Sequence, residues 1–293
     1  MATAALARSY VLSTLMLPFL FIVMWSSGYV AGKVGLDYSA PYTLIFLRFA
    51  SAGLIMLAVS LITRAPWPKT LRQYFHLAVV GLLVQGIQFS GLYAGMAQGV
   101  TAGTSALIVG TMPVFTALVA GWLFKERVSL KQWFGAFLGV AGVGVGVAQH
   151  GGFGSSTIAG YLFVGLALFG ITVGTLYQKH FCAGLDLRTA GFVQLIAATI
   201  LTAFLAGHSE GFQAQWGLPL LGSVAWLSII NSIGAVTVWF VLIQRGEAAK
   251  VSSLFHLIPG ATALMGFAVL GETLSQLSIV GFAMTAVAVY LSH

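Results

Sequence analysis

A few polar and aromatic side chains interrupt long apolar segments of this sequence at helical spacing. Gln85, Gln88 and Tyr93 fall in one apolar segment, and Asn231 and Trp239 fall in another. The eight-residue spacing of the last pair places both side chains on one face of a helix. Side-chain amides could hold a polar head group, and rings could hold an apolar or aromatic group. We predict that these residues line a substrate cavity; hydrogen bonding between helices is the alternative.

Three further side chains are candidates for the same cavity. Trp25 and Tyr29 are four residues apart, so they share a helical face. Trp25 lies too deep in its apolar segment to fit an interfacial aromatic belt. His256 could titrate or donate a hydrogen bond to a substrate, although a lone buried histidine is more often a packing residue. We predict that all three bind substrate.

Other chemistry is not indicated. The histidines are scattered and form no titratable pair or metal cluster, so we expect no catalytic residue and no bound metal. Cys182 is the single cysteine, which excludes an intramolecular disulfide. The series Gly142, Gly144 and Gly146 resembles a phosphate loop only superficially, because no Lys-Ser or Lys-Thr pair follows it. We therefore expect no cofactor and no ATPase partner.

Two prolines lie inside apolar segments, where each removes a backbone hydrogen bond and kinks a helix. They are Pro113 and Pro259. Interrupted helices at corresponding places in two halves of a chain are typical of transporter binding regions. We predict that both prolines act as helix kinks or gates; shaping of helix packing alone is the alternative.

The composition indicates that the elements carrying these residues are membrane helices. Of the 293 residues, 59% are hydrophobic and 6% are charged, whereas soluble domains carry about 25% charged residues. No basic cluster longer than Lys125-Glu126-Arg127 occurs, so the net charge of +7 does not indicate nucleic acid. Ten apolar segments are long enough to cross or nearly cross a bilayer. They are 10–32, 42–62, 74–96, 102–124, 131–148, 158–178, 189–206, 218–243, 251–270 and 274–291.

The basic residues predict the orientation of these segments. Eleven of them lie on one side, which the positive-inside rule places in the cytoplasm together with both termini. They are Arg8, Arg64, Lys69, Arg72, Lys125, Arg127, Lys131, Lys179, Arg188, Arg245 and Lys250. Only Lys33 lies on the opposite side, and Arg48 lies inside the second segment. Arg48 could attract a carboxylate, or extend towards Asp37 or lipid phosphate.

The two halves of the chain repeat one another at an offset of 146 residues. The offset aligns Gln85 with Asn231, Tyr93 with Trp239, Pro113 with Pro259 and Glu126 with Glu272. It aligns Arg48 with the uncharged Gln194. Each half holds five segments, and an odd number inverts the second half in the membrane. We predict an all-α polytopic membrane protein of ten transmembrane helices. It is built as two five-helix inverted-topology repeats, residues 1–149 and 150–293.

The sequence resembles the drug/metabolite transporter superfamily, in its EamA-like branch. The stretches that carry the resemblance are 106–113 and 121–127 in the first half, and 253–259 and 270–272 in the second. The resemblance covers the whole chain and is strongest to bacterial exporters of aromatic amino acids. It implies export of aromatic and other neutral amino acids and related metabolites by alternating access across the bacterial inner membrane. The alternatives are a broad-specificity drug or metabolite exporter of this fold, or a channel.

The acidic residues bear on how transport is driven. All six lie at segment ends or in loops, whereas proton-coupled carriers usually hold a carboxylate or histidine within the membrane. They are Asp37, Glu126, Asp186, Glu210, Glu247 and Glu272. We therefore expect facilitated, gradient-driven export, or coupling through His256.

Overall fold

The computed structural model describes residues 2–124, 129–148, 158–238, 257–273 and 275–292, and ten helices form their architecture. They are α1 (Ala2–Leu36), α2 (Pro41–Ile62), α3 (Leu71–Ala97), α4a (Ala102–Val109), α4b (Met112–Phe124), α5 (Leu130–Ala148), α6 (Ile158–Phe181), α7 (Leu187–Glu210), α8 (Leu218–Val238), α9 (Ile258–Leu270) and α10 (Gln276–Ser292). Here α4a and α4b count as one interrupted helix. The only extended pairing among the described residues is an isolated bridge between Ser39 and Ala214.

Length and hydropathy make this a membrane protein. Six of the described helices (α1, α2, α3, α6, α7 and α8) are long and apolar enough to cross a bilayer, and the other four are shorter apolar helices. In lipid, backbone polar groups must be satisfied within the chain, which helices do along their whole length. Large apolar side chains lie on the outside, among them Leu54, Phe137, Ile200 and Phe267. The predicted all-helical membrane fold of ten helices is therefore confirmed.

The packing of the helices is symmetric between the two halves. α2 packs against α7 and α5 packs against α10, so each of these helices contacts its own counterpart at the offset of 146 residues. The contact of α3 with α6 is matched by that of α8 with α1, and the contact of α1 with α9 by that of α6 with α4. The buried core lies at the centre, with α1 against helices of both halves. Residues on α1 are therefore placed to face an interface between the halves.

Two carboxylates from the second half satisfy helix starts in the first half. Glu210, at the end of α7, accepts hydrogen bonds from the backbone N–H groups of Tyr42 and Thr43 at 2.8 and 2.7 Å. Glu272, just after α9, accepts from Ala102 and Gly103 at 2.7 and 3.3 Å. The first turn of a helix has unpaired N–H groups and a partial positive charge, so a carboxylate stabilises it. These bonds tie the starts of α2 and α4a to the other half.

The start of α7 is fixed locally instead. Asp186 precedes the helix and accepts a hydrogen bond from the backbone N–H of Arg188 at 3.0 Å. The Arg188 guanidinium also donates to the same carboxylate at 3.0 and 2.7 Å. These hydrogen bonds hold the pKa of the Asp186 carboxyl below its usual value. The carboxylate therefore stays ionised at neutral pH and caps the helix.

Two matched segments depart from α-helical geometry. Gly81–Ile87 within α3 and Trp226–Ala235 within α8 are π-helical. The offset of 146 residues maps position 81 onto 227 and 87 onto 233, so the two wide turns occupy corresponding places. π-helical turns are rare, and they are found frequently at functional sites. Because the same geometry occurs at corresponding places, α3 and α8 are candidate elements of a functional site.

Candidate functional site

A narrow pocket lies between α1, α4, α6 and α9. It contains about 290 Å³ of space not filled by atoms, part of it open to the surroundings. The lining is almost wholly apolar and consists of Trp25, Tyr29, Ala106, Val109, Gly110, Met112, Pro113, Ile171 and Ile258. The structure thus brings together the predicted site residues Trp25 and Tyr29 with the predicted kink at Pro113.

The break in α4 and the start of α9 meet at this pocket. α4a ends at Val109 and α4b begins at Met112, with Pro113 in its first turn. Pro259 lies in the first turn of α9. Gly110 permits this contact, because a Cβ atom there would lie 2.7 Å from Cγ of Pro259. The break between α4a and α4b and the start of α9 therefore touch beside the pocket, one from each half.

The hydroxyl of Ser26 strengthens this junction from α1. It donates a hydrogen bond to the backbone carbonyl of Ile258 at 3.4 Å, and Ser26 is fully buried. Because Pro259 follows Ile258, the bond fixes α1 to the proline-containing turn of α9. Trp25 and Tyr29 lie on either side of Ser26 in the same helix, so this contact sets their position over the pocket.

Arg48 points into the helix bundle. Its side chain is only 3% exposed; its Nε donates to Oγ of Ser232 at 3.0 Å, and its Nη1 donates to the Tyr93 hydroxyl at 2.9 Å. The guanidinium carbon lies 4.1 Å from the centre of the Phe89 ring, in cation–π geometry. The alternative that Arg48 extends towards Asp37 or lipid phosphate is therefore wrong, because hydrogen bonds across the bundle hold the guanidinium inside.

Tyr93 packs between Arg48 and α1. It is fully buried on α3 and packs against α1 at Gly32, where a Cβ atom would lie 2.3 Å from its ring. Gly32 is three residues after Tyr29 in the same helix, so Tyr93 packs within one turn of a residue that lines the pocket. The hydroxyl of the predicted site residue Tyr93 thus bonds to the guanidinium, and its ring packs against the helix that carries Trp25 and Tyr29.

The predicted amide residues lie outside the pocket lining. Asn231 is buried on α8; its Nδ2 donates to the carbonyl of Met24 on α1, and its Oδ1 has no hydrogen-bond partner among the described residues. Gln88 is 3% exposed and makes no side-chain hydrogen bond to a described residue, and Gln85 is half-buried. Gln85 lies in the π-helical segment, so the spacing of an α-helix does not relate its direction to that of Gln88.

Two predicted site residues, Trp239 and His256, lie outside the described residues. From the sequence, Arg48 was expected to attract a carboxylate or to extend out of the bundle. Its membership of an internal cluster of polar side chains was not predicted. The sequence signal that could have found it is its solitary position, since it is the only basic residue well inside an apolar segment. A buried charge in a membrane segment is costly and usually functional.

Comparison with known proteins adds the family context. The profile described as the EamA-like transporter family matches the sequence twice, at residues 12–147 and 158–293. A chloroplastic WAT1-related protein of Arabidopsis thaliana is 29% identical, aligned over 95% of this chain and 68% of that protein. The uncharacterized inner membrane transporter YedA of Escherichia coli is 26% identical, over 93% of this chain and 88% of that protein.

Two further similarities bear on function and on fold respectively. A protein of Salmonella typhimurium named as a probable amino-acid metabolite efflux pump is 25% identical, aligned over 94% of this chain and 93% of that protein. A solved crystal structure at 22% sequence identity superposes with a TM-score of 0.65, covering 95% of this chain and 96% of that chain. At that identity the structural likeness supports the ten-helix fold alone.

Proposed function

We propose, because the chain belongs to the EamA-like transporter family, that it exports aromatic and other neutral amino acids and related metabolites from the cytoplasm. Family membership makes it a multi-pass membrane transporter of small molecules and not an enzyme, and its relatives include inner membrane transporters. The amino-acid substrate is the proposal, and it is supported by the relative named as a probable amino-acid metabolite efflux pump.

The observation that carries this proposal is the aromatic pocket beside a buried polar cluster. Trp25 and Tyr29 present rings to the pocket from α1. Tyr93 packs against the same helix at Gly32 and bonds to Arg48, the only charged side chain that is buried among the described residues. A neutral amino acid has an apolar side chain and a charged head group, and these two surroundings match those two parts. Neither part alone would suit the whole molecule.

Alternating access between the two halves is the proposed mechanism. We divide the chain into repeats 1–149 and 150–293, with inverted topology and both termini in the cytoplasm, in agreement with the charge bias of the loops. The pocket lies where the break in α4 and the start of α9 touch, at Gly110 and Pro259. Pro113 and Pro259 would then be the kinks about which the halves rock, exposing the pocket to each side in turn.

A broad-specificity drug or metabolite exporter is the second candidate, and the apolar lining of the pocket favours it. Apart from the indole of Trp25 and the hydroxyl of Tyr29, no lining side chain carries a polar group. A hydrophobic drug-like compound could occupy such a surface without using the Arg48 cluster. The two candidates therefore differ in whether a compound without an amino-acid head group competes for transport.

Counterflow in proteoliposomes tests the proposed function. Vesicles loaded with unlabelled phenylalanine should take up external labelled phenylalanine faster than empty vesicles, because a carrier exchanges substrate and a channel does not. Unlabelled phenylalanine and threonine should compete, and an organic cation should not. Counterflow of a labelled organic cation, with no counterflow of any amino acid, would instead establish the second candidate. Counterflow absent for every compound would refute a carrier mechanism.

An imposed pH gradient should leave the rate of phenylalanine transport unchanged. Each described acidic residue lies at a helix end: Asp37 is exposed, Asp186 pairs with Arg188, and Glu210 and Glu272 cap helix starts. None is placed to carry a proton through the membrane. The measurement compares initial rates with equal pH on both sides and with a difference of about one unit. A rate that rises with the gradient would indicate proton coupling, for which His256 is the residue to replace.

A further inference from the structure

We propose that Arg48, together with Tyr93, forms the subsite that binds the carboxylate of the substrate. This inference rests on the proposed function and names the chemical group that the transporter requires of its substrates. The cluster consists of Arg48 on α2, Phe89 and Tyr93 on α3, and Ser232 on α8. These helices belong to both halves of the chain, so the contacts of a ligand bound here would depend on how the two halves are placed relative to each other.

The first argument is the missing counter-charge. A buried arginine is stabilised by a partner of opposite charge, and removing it from water without one is unfavourable. Among the described residues the sole ion pair is between Arg188 and Asp186, far along the chain from Arg48. Two hydroxyl groups and the rings of Phe49 and Phe89 surround the Arg48 guanidinium, but no carboxylate of a described residue contacts it. A substrate carboxylate would supply the charge that the described residues do not.

The second argument is the set of Arg48 guanidinium N–H groups that no described residue uses. A guanidinium has five N–H groups, and Arg48 uses one on Nε for Ser232 and one on Nη1 for Tyr93. No described residue accepts a hydrogen bond from Nη2, and one N–H of Nη1 is left as well. These neighbouring groups form the fork that binds both oxygens of a carboxylate at once. Phe89 covers one face of the guanidinium and keeps its plane fixed.

The third argument is the position of the cluster relative to the pocket. Arg48 is seven residues from the start of α2, and Tyr29 is seven residues from the end of α1. Both helices meet at the same loop, so the two residues lie at similar depth, about 10 Å from it. Tyr93 bonds directly to Arg48 and packs against α1 at Gly32, within one helical turn of Tyr29. A carboxylate at Arg48 would thus leave the rest of the substrate near the aromatic lining.

The internal repeat indicates that the fold itself does not require a charge at the position of Arg48. α2 and α7 are counterparts that pack against each other, and Gln194 occupies the position that corresponds to Arg48. Gln194 is also buried, at 8% exposure, so α7 occupies the same kind of environment without a charge. Only one half of the chain carries this charge. Such asymmetry is expected of a site that binds its ligand in one orientation, and it is not expected of a packing role that both halves share.

The experiment compares substrates that differ only at the carboxylate. Counterflow of labelled phenylalanine by the wild-type transporter is measured against unlabelled phenylalanine and against phenylalaninamide, which lacks the negative charge. A hydrogen bond to a charged group changes binding by about tenfold or more. We therefore expect the amide to compete at least about tenfold more weakly. This comparison needs no variant, so it does not depend on any substitution being tolerated.

Three variants then assign the preference to the residue. In Arg48→Gln the preference for the acid over the amide should fall to within about twofold, and in Arg48→Lys it should be partly kept, since a lysine retains charge without the fork. The control is Arg72→Gln, which removes a similar charge from an exposed site at the start of α3 and should retain the full preference. Elution as a single species from size-exclusion chromatography reports folding.

The possible outcomes separate the two proposals. Equal competition by acid and amide in the wild type would overturn the carboxylate subsite and leave amino-acid export standing. Full acid preference in a folded Arg48→Gln variant would also overturn it. Absence of counterflow for every amino acid would overturn the proposed function, and this inference with it.

Discussion

Replacing Trp25 by alanine should reduce phenylalanine transport by about tenfold to a hundredfold, because burial of a large apolar group contributes about 1.5–3 kcal/mol. Trp25 lines the pocket from α1 and is held beside Ser26, whose hydroxyl bonds to the turn of α9 that contains Pro259. Its indole packs against Phe21 with ring centres 5.4 Å apart, so it is already ordered before a substrate arrives. A preordered ring loses little entropy on binding.

Trp133→Ala is the matched control for this prediction. Trp133 is 58% exposed on α5, and it is absent from the pocket lining. The same indole is removed, yet transport should stay within about twofold of wild type because an exposed site contributes little. Initial rates of counterflow per folded protein are the measurement. Equal loss in both variants, or full activity of Trp25→Ala, would remove the pocket from the transport path.

Gly91→Ala should lower the free energy of unfolding by about 3 kcal/mol, since added atoms in a packed interface force helices apart. Gly91 on α3 faces α6, and a Cβ atom at this position would lie 2.4 Å from the backbone oxygen of Phe163 and 2.9 Å from the nitrogen of Ala167. Backbone atoms cannot move aside as a flexible side chain can. The whole α3–α6 contact would have to open.

The neighbouring helix supplies the control. Gly165 on α6 has no atom within 4 Å of the position a Cβ would take. Gly165→Ala should therefore leave stability unchanged or raise it by up to about 1 kcal/mol through higher helix propensity. Thermal unfolding of both variants in one mild detergent, followed by tryptophan fluorescence, gives the comparison. If the two variants unfold at the same temperature, α3 and α6 are not in the close contact described above.

The helices were predictable from the sequence because apolar length and charge position determine what lipid will accept. Their ends were less so. The first segment was predicted as 10–32, yet α1 continues to Leu36 and includes Lys33. A charged residue usually marks the end of a membrane segment, but the Lys33 amine donates a hydrogen bond to the carbonyl of Met96 at 2.7 Å, so its charge has a polar partner within the helical bundle. Such a partner is 63 residues away and invisible to a local pattern.

The candidate site was predictable only in part, because several of its contacts also join residues that are distant in the sequence. Spacing placed Trp25 and Tyr29 on one face, and the structure puts both in the pocket lining. Spacing also assumed an ordinary helix around Gln85, whereas the segment Gly81–Ile87 is π-helical. The direction of Arg48 depended on hydroxyl groups from two other helices, which no local pattern contains. Regular periodicity is predictive where the helix is regular, and it fails at the wide turns.

The carboxylate of Glu272 has a consequence for the order in which this chain is made. Glu272 accepts a hydrogen bond from the backbone N–H group of Ala102, which lies 170 residues earlier in the sequence. A ribosome adding about 5–20 residues per second needs roughly 10 to 35 seconds to cover that interval. During this time α4a is already synthesised but its first turn has no acidic partner. Completion of the first half therefore awaits the last helices of the second, and a nascent chain halted before residue 272 would leave that turn unfinished.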